Sequence, residues 1–283
     1  KNMKMNKLRI SLIIFTVFSS VLFLLSFCSK KDNAPKPVQS ALLNPSYKNS
    51  IQTIIIQTPE SLLTIRNEND VWLCEKQGIF TFADKKTVNN LIANLTKIRS
   101  MYKISDTIEA KIDLSLTEDS ASIITVIDDS GKPATKIYFG DSDTLTARIN
   151  LRSEKSRICW ETADDFSPYL KTDLDFWTIP EIFFAIKEPV NLKISDANLH
   201  TLLSLRHGKI YPSTQLPSGV QKERTFELKG PLNTKQIVEF YSLNTPEGKD
   251  YFYIQHINDE EFMNNAIYEL SGWTYNRLTA LLP

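Results

Sequence analysis

Glycine is scarce in this chain, with eight residues in 283. So few, spread along the length, argue against glycine-rich phosphate loops, and no GxxxxGK[ST] pattern marks a nucleotide-hydrolysing P-loop. Charge of one sign is lacking as well: Lys plus Arg and Asp plus Glu stand at 33 each. No global field is left to recruit nucleic acid, so nucleic acid is not expected among the partners.

Histidine and cysteine are equally sparse, at three residues each. His200 and His207 are expected on one helix and His256 on a distant strand, and no HExxH, CxxC or HxH spacing occurs. A metal centre needs converging ligands, so no metal is expected. The cysteines are Cys28, Cys74 and Cys159. If Cys28 is lipidated, the other two could pair in an oxidising compartment. The alternative, which the apolar settings VWLCE and RICWE favour, is two buried thiols.

Nucleophile and acid–base patterns are missing too. No GxSxG places a serine on a nucleophile elbow, and Ser46 belongs to a short helix after Pro45. Adjacent carboxylates occur at Asp128-Asp129, Asp164-Asp165 and Glu260-Glu261, with Asp141 and Asp143 two apart. Asp128 begins a turn, where Asp bonds to its own backbone. The GDSDTLTA stretch lacks the later Gly and Glu of a calcium loop. These read as turn and surface acids, and neither catalysis nor a cofactor is expected.

What the chain does have is an uncharged apolar run over residues 10–28, preceded by Lys1, Lys4, Lys7 and Arg9 without an acid. That is the layout of a secretory signal or signal anchor. At 1.5 Å per residue the run reaches roughly 28 Å, enough for a hydrocarbon core. Leu25, Ser26 and Phe27 before Cys28 resemble a bacterial lipobox, although Phe27 departs from the small residue normal there. A lipidated Cys28 and an uncleaved helix are both open. Either puts the rest of the chain outside the cytoplasm, with the lipid bilayer as N-terminal partner. The first residue is Lys, so Met3, Met5 or an upstream residue is the expected start.

Residues 29–45 are polar and carry Pro35, Pro37 and Pro45, a composition expected for a tether. Residues 51–82 then alternate strand-like segments with turn residues, which predicts a four-stranded antiparallel meander. Asp84 is a candidate N-cap, and Val88, Leu91, Ile92, Leu95 and Ile98 recur at helical spacing. A polar loop is expected next. Hairpins follow around Ser130-Gly131 and near residues 153–156. Pro180 limits any helix in the aromatic-rich stretch 166–182.

The second half replays the first. Leu95 matches Leu202, Arg99 matches Arg206, Trp160 matches Tyr268 and Leu170 matches Leu278, at offsets of 107–108 residues. The fold class expected is α+β, with two related sheet-plus-helix lobes over residues 46–186 and 187–283, the second copy shortened. Four aromatics stand out as partner or carbohydrate platforms, or as core: Trp177, Trp273, Tyr251 and Tyr253. Alternation places Tyr251, Tyr253 and Gln255 on one face of a strand, and Phe252, Ile254 and His256 on the other.

The basic leader and apolar run, ALLNPSYKNSIQTIIIQ, VWL, the helix ending in KIR, DDSGK with IYFG, TARIN, ICW and LDFW together resemble the bacterial domain of unknown function 4340 family. The resemblance covers roughly residues 41–283. It implies a membrane-anchored protein often encoded beside a gliding-motility type of ABC transporter, whose membrane subunits would be partners. It supplies no catalytic residues. The function expected is a non-catalytic extracytoplasmic accessory or structural component of a membrane assembly. A solute-binding lipoprotein with an inter-lobe pocket and a cell-envelope enzyme are the alternatives.

Overall fold

The computed structural model describes residues 36–143, 145–258 and 264–282. The apolar run, Cys28, Glu260 and Glu261 therefore lie outside the described residues. The chain divides into Lys1–Pro37 and a compact unit, Val38–Pro283.

The protein is α+β, built on two antiparallel sheets. The first has ten strands: β1 (Val38–Ser40), β2 (Ile51–Gln57), β3 (Leu62–Glu68), β4 (Val71–Lys76), β5 (Ile79–Phe82), β6 (Arg99–Ser105), β7 (Ser122–Asp128), β8 (Pro133–Asp143), β9 (Arg148–Ser153) and β10 (Cys159–Thr162). Their order is β1-β6-β10-β9-β8-β7-β2-β3-β4-β5. The expected meander is β2 to β5, and its other side continues through β7. Helix α1 (Lys85–Thr96) starts at Asp84, whose carboxylate accepts from the Lys86 and Thr87 amides. It buries Val88, Leu91, Ile92 and Leu95, the face its periodicity predicts.

Three expectations for this half are corrected. Ile98 is not part of the helical stripe, because the helix ends before it and leaves it exposed. The tether stops short of residue 45: β1 pairs with β6, the Leu42 and Leu43 amides donate to the Leu95 carbonyl, and Leu43 enters the core. Prolines flank this edge strand without interrupting its pairing. The polar loop after α1 holds β6 and a short helix, α2 (Ile108–Asp113). Met101 faces in and Tyr102 out, but the alternation then breaks at a bulge opposite β10, which hides the strand from a reading of periodicity.

Helix α3 (Leu174–Trp177) is one turn and stops before Pro180. Helix α4 (Asp196–Leu203) contains His200, but His207 lies beyond its end, so the two share no helix face. The second sheet is β11 (Gln221–Lys229), β12 (Lys235–Thr245), β13 (Gly248–Ile257) and β14 (Tyr268–Leu270), in that order. Helix α5 (Gly272–Leu281) follows, capped by Ser271.

The sheets fall on either side of the expected boundary at 186/187, yet one hydrophobic core runs through both. It joins Ile54, Ile65, Leu91 and Phe139 with Val238, Phe240, Tyr253 and Leu278. Gln236 stitches the connecting segment to this core. Its Nε2 donates to the Ile182 carbonyl at 2.7 Å and to Gln255 Oε1 at 2.8 Å, and its Oε1 accepts from the Ala185 amide. A smaller cluster, Leu116, Ala121, Ile123, Tyr138 and Cys159, covers part of the outer face of the first sheet.

Candidate functional site

The four aromatics separate by environment. Trp177 is wholly buried, its indole Nε1 donating to the Lys171 carbonyl at 2.8 Å and its ring edge-on to Phe176. Tyr253 is also wholly buried, stacked on Tyr268 at 4.7 Å between centroids. Neither can serve as a platform, because the core covers both faces. Tyr251 is half-buried and stacks on Tyr275 of α5 at 4.1 Å. Trp273 is 71% exposed at the start of α5. Through Tyr275 on Tyr251, helix α5 covers one face of β13, and Tyr211 packs edge-on against Phe252 on the other.

Tyr211 also forms the wall between two neighbouring depressions. The larger, about 500 Å³, is lined by Tyr211, Lys249, Asp250, Tyr251, Glu269 and Ser271 among others. The smaller, about 190 Å³, has Lys76, Gln77, Asp173, Asp175 and Tyr211 in its walls. It therefore lies where the β4–β5 turn of the first sheet meets the segment leading to the second. Burial raises the Glu269 carboxyl above its ordinary value; Lys209 opposes this, and the charges of Asp175 and Asp250 add to it. Asp175 is engaged, accepting from the Ile210 amide at 2.7 Å. The groove thus offers carboxylates, a lysine and aromatic edges, a lining suited to binding a polar solute.

The remaining candidates are held in structural roles. Asp128 accepts from the Ser130 and Lys132 amides, which closes the β7–β8 turn and lowers its pKa through Ser130 first. Asp143 accepts from the Leu145 amide and the Thr146 hydroxyl. Asp165 accepts from the Ser167 amide. His200 and His256 are exposed on different elements, and among the described residues no group of three His, Cys, Asp or Glu side chains could hold a metal ion. Ser46 sits in the 3-10 turn Pro45–Asn49, where its amide is capped by Asn44.

Cys74 and Cys159 are free and buried, one in each hydrophobic cluster, so the sheet itself separates them. Burial pushes both thiols up, away from the reactive thiolate. Ser100 and Lys103 have the spacing of a serine–lysine pair. They point to opposite faces of β6; Ser100 meets Gln39 and Lys103 pairs with Asp106.

Sequence reasoning missed Tyr211 and Asp175 as wall residues. Asp175 lies in the LDFW stretch and Tyr211 in no motif, and nothing local to either signals that they line one groove, since they are 36 residues apart in sequence. The fold defines an α+β protein of two antiparallel sheets on one core. The sequence matches no protein family and no curated protein.

Proposed function

We propose that this protein is a membrane-anchored, extracytoplasmic and non-catalytic component of a membrane assembly. The observation that carries the proposal is the uncharged run 10–28 behind a purely basic leader. The chain enters the compact unit at an edge strand, β1, which suits a body hung from an N-terminal anchor. The resemblance to the domain of unknown function 4340 family supplies the partner class, the membrane subunits of an ABC-type transporter. Fractionation tests the address: the chain should sediment with membranes and be open to protease from outside the cytoplasm. Recovery as an intact cytoplasmic protein would overturn it. Cys28→Ala separates the anchors, since loss of a lipid label with release supports lipidation and no change supports a spanning helix.

A solute-binding lipoprotein is the second reading, favoured by the groove around Tyr211 and Glu269. Calorimetric titration of the full chain with neutral oligosaccharides and polar metabolites tests it, with Tyr211→Ala as the groove variant. Binding that survives Tyr211→Ala would place the solute elsewhere. A cell-envelope enzyme remains the third class.

The two halves are proposed to be an internal duplication. In each, a buried helix leucine, Leu95 or Leu202, precedes a segment paired antiparallel with a later strand. Lys103 pairs with Trp160 in the first half, and Ile210 bridges Tyr268 in the second. The offsets of these pairs, 107 and 108 residues, are those of the sequence matches. Superposing α1, β6 and β10 on α4, 208–211 and β14 tests the proposal; unrelated orientations would reduce it to coincidence.

A further inference from the structure

We propose that the outer surface made by Tyr102 and Ile104 of β6 with Ile108 and Ile112 of α2 rests on the lipid surface of the membrane. The inference rests on the anchored reading above and extends it from an address to an orientation.

These four side chains are 40%, 44%, 74% and 64% exposed, within eleven residues of chain. Single exposed apolar residues are ordinary, but a local group of them marks a contact surface. Met101 faces the core, so Tyr102 points to the opposite, outer face of β6. Ile104 is the extra residue of the bulge between the Lys103 and Ser105 pairs with β10, and it is exposed there. Ile108 and Ile112 are four apart and share one face of α2.

The direction of β1 supplies the occupant. Val38 pairs with Met101 and Ser40 with Arg99, so β1 runs antiparallel to β6. The chain preceding Val38 therefore arrives from the Ile104 end of β6, one strand spacing from the surface in question. Between Cys28 and Val38 stand nine residues, which span at most about 30 Å. A body on so short a lead cannot move far from the bilayer that holds the run 10–28.

Charge and area favour lipid over a protein partner. Lys103 is paired with Asp106 at 2.6 Å, and Lys111 has Glu109 and Asp113 beside it, so residues 102–113 themselves carry no basic excess. Contact is carried by apolar area, which four side chains supply in less than the roughly 800 Å² per partner of a stable protein interface. A surface too weak to bind alone is occupied once a tether raises its effective concentration. The segment after α2 holds the helix in place: Leu114 and Leu116 pack on the outer face, and the Asp141 amide of β8 donates to the Leu114 carbonyl.

The test uses the full chain in vesicles of phosphatidylethanolamine and phosphatidylglycerol carrying a lipid with a photoreactive acyl chain. Adducts are mapped by mass spectrometry. Lipid adducts are expected on the peptide spanning 102–112 and not on the β11–β12 turn, where Leu232 is apolar and more exposed than any of the four. The pattern should be insensitive to salt. The double variant I108E/I112E should lose these adducts several-fold while still sedimenting with vesicles and melting as the parent does. A chain that sediments but carries no more adducts at 102–112 than at Leu232 overturns the orientation and leaves the anchor standing. Chain-to-chain crosslinks at 102–112 in place of lipid adducts overturn it in favour of a second copy. A chain that does not sediment at all removes the anchored reading, and the orientation with it.

Discussion

Arg99 and Asp164 form an ion pair at the seam between β6 and the segment after β10, with Arg99 Nε 3.4 Å from the carboxylate. Arg99 is almost wholly buried, its guanidinium stacked over the Phe166 ring, while Asp164 also takes Lys97 at 2.9 Å. Asp164→Ala strands a buried cation. We expect a loss of about 2 kcal/mol, below the cost for a fully buried pair because Asp164 keeps some solvent contact. Thermal and urea unfolding measure it, and an unchanged midpoint would refute the pairing.

The same pair sets a pH dependence. Burial works to raise the Asp164 pKa, but Lys97 and Arg99 outweigh it and hold the carboxyl below its ordinary 3.8. A group depressed in the folded state adds stability above its unfolded pKa and loses it as pH falls through the folded one. Stability should therefore drop on acidification below about pH 4. Asp164→Asn should flatten that part of the unfolding-versus-pH curve.

Trp177 and Trp273 make a matched contrast. Trp177 is wholly buried and hydrogen-bonded, whereas Trp273 is 71% exposed. Trp177→Ala should cost about 3–5 kcal/mol and lower the amount of folded protein. Trp273→Ala should stay within about 0.5 kcal/mol of the parent. Equal melting temperatures for the two variants would contradict this placement.

His207 is half-buried with Nδ1 2.9 Å from the Gly208 carbonyl and Nε2 3.2 Å from that of Ile179. A neutral ring can donate to only one of them. Burial pushes its pKa below the ordinary 6.5, with both carbonyls and the charges of Asp175 and Glu181 opposing. The unfolded chain then binds the proton first, so stability should fall as pH drops below about 6.5. His207→Gln should remove that slope in melting curves taken between neutral and mildly acid pH; an unchanged slope assigns it to other groups.

Gly140 of β8 has the Leu114 carbonyl directly where a Cβ would stand. Gly140→Ala must displace backbone, so we expect about 1–3 kcal/mol of destabilisation. Amide exchange over residues 108–116 should quicken more than exchange in the second sheet, since Leu114 leads out of α2. Uniform quickening would mean that the segment is not held there.

Local chemistry made much of this molecule legible from residues alone. Asp84 with the spacing of Val88 to Leu95 determined α1, because capping and a period of 3.6 act within one segment. Turn residues within 51–82 and near Gly131 determined the hairpins of the first sheet. The leader and its apolar run are purely sequence properties as well. Tertiary structure alone decided the rest, since burial belongs to what packs against a residue. Two tryptophans of the same kind ended in opposite environments because α3 sits inside the core and the start of α5 at its rim. Val38–Ser40 became a strand only because β6 offered it an edge. Tyr211, Glu269 and Asp175 converge from separate stretches where the sheets meet, and Ile104, Ile108 and Ile112 stay outside because no other described segment covers them. Contacts so far apart in sequence leave no local pattern for periodicity or capping to register.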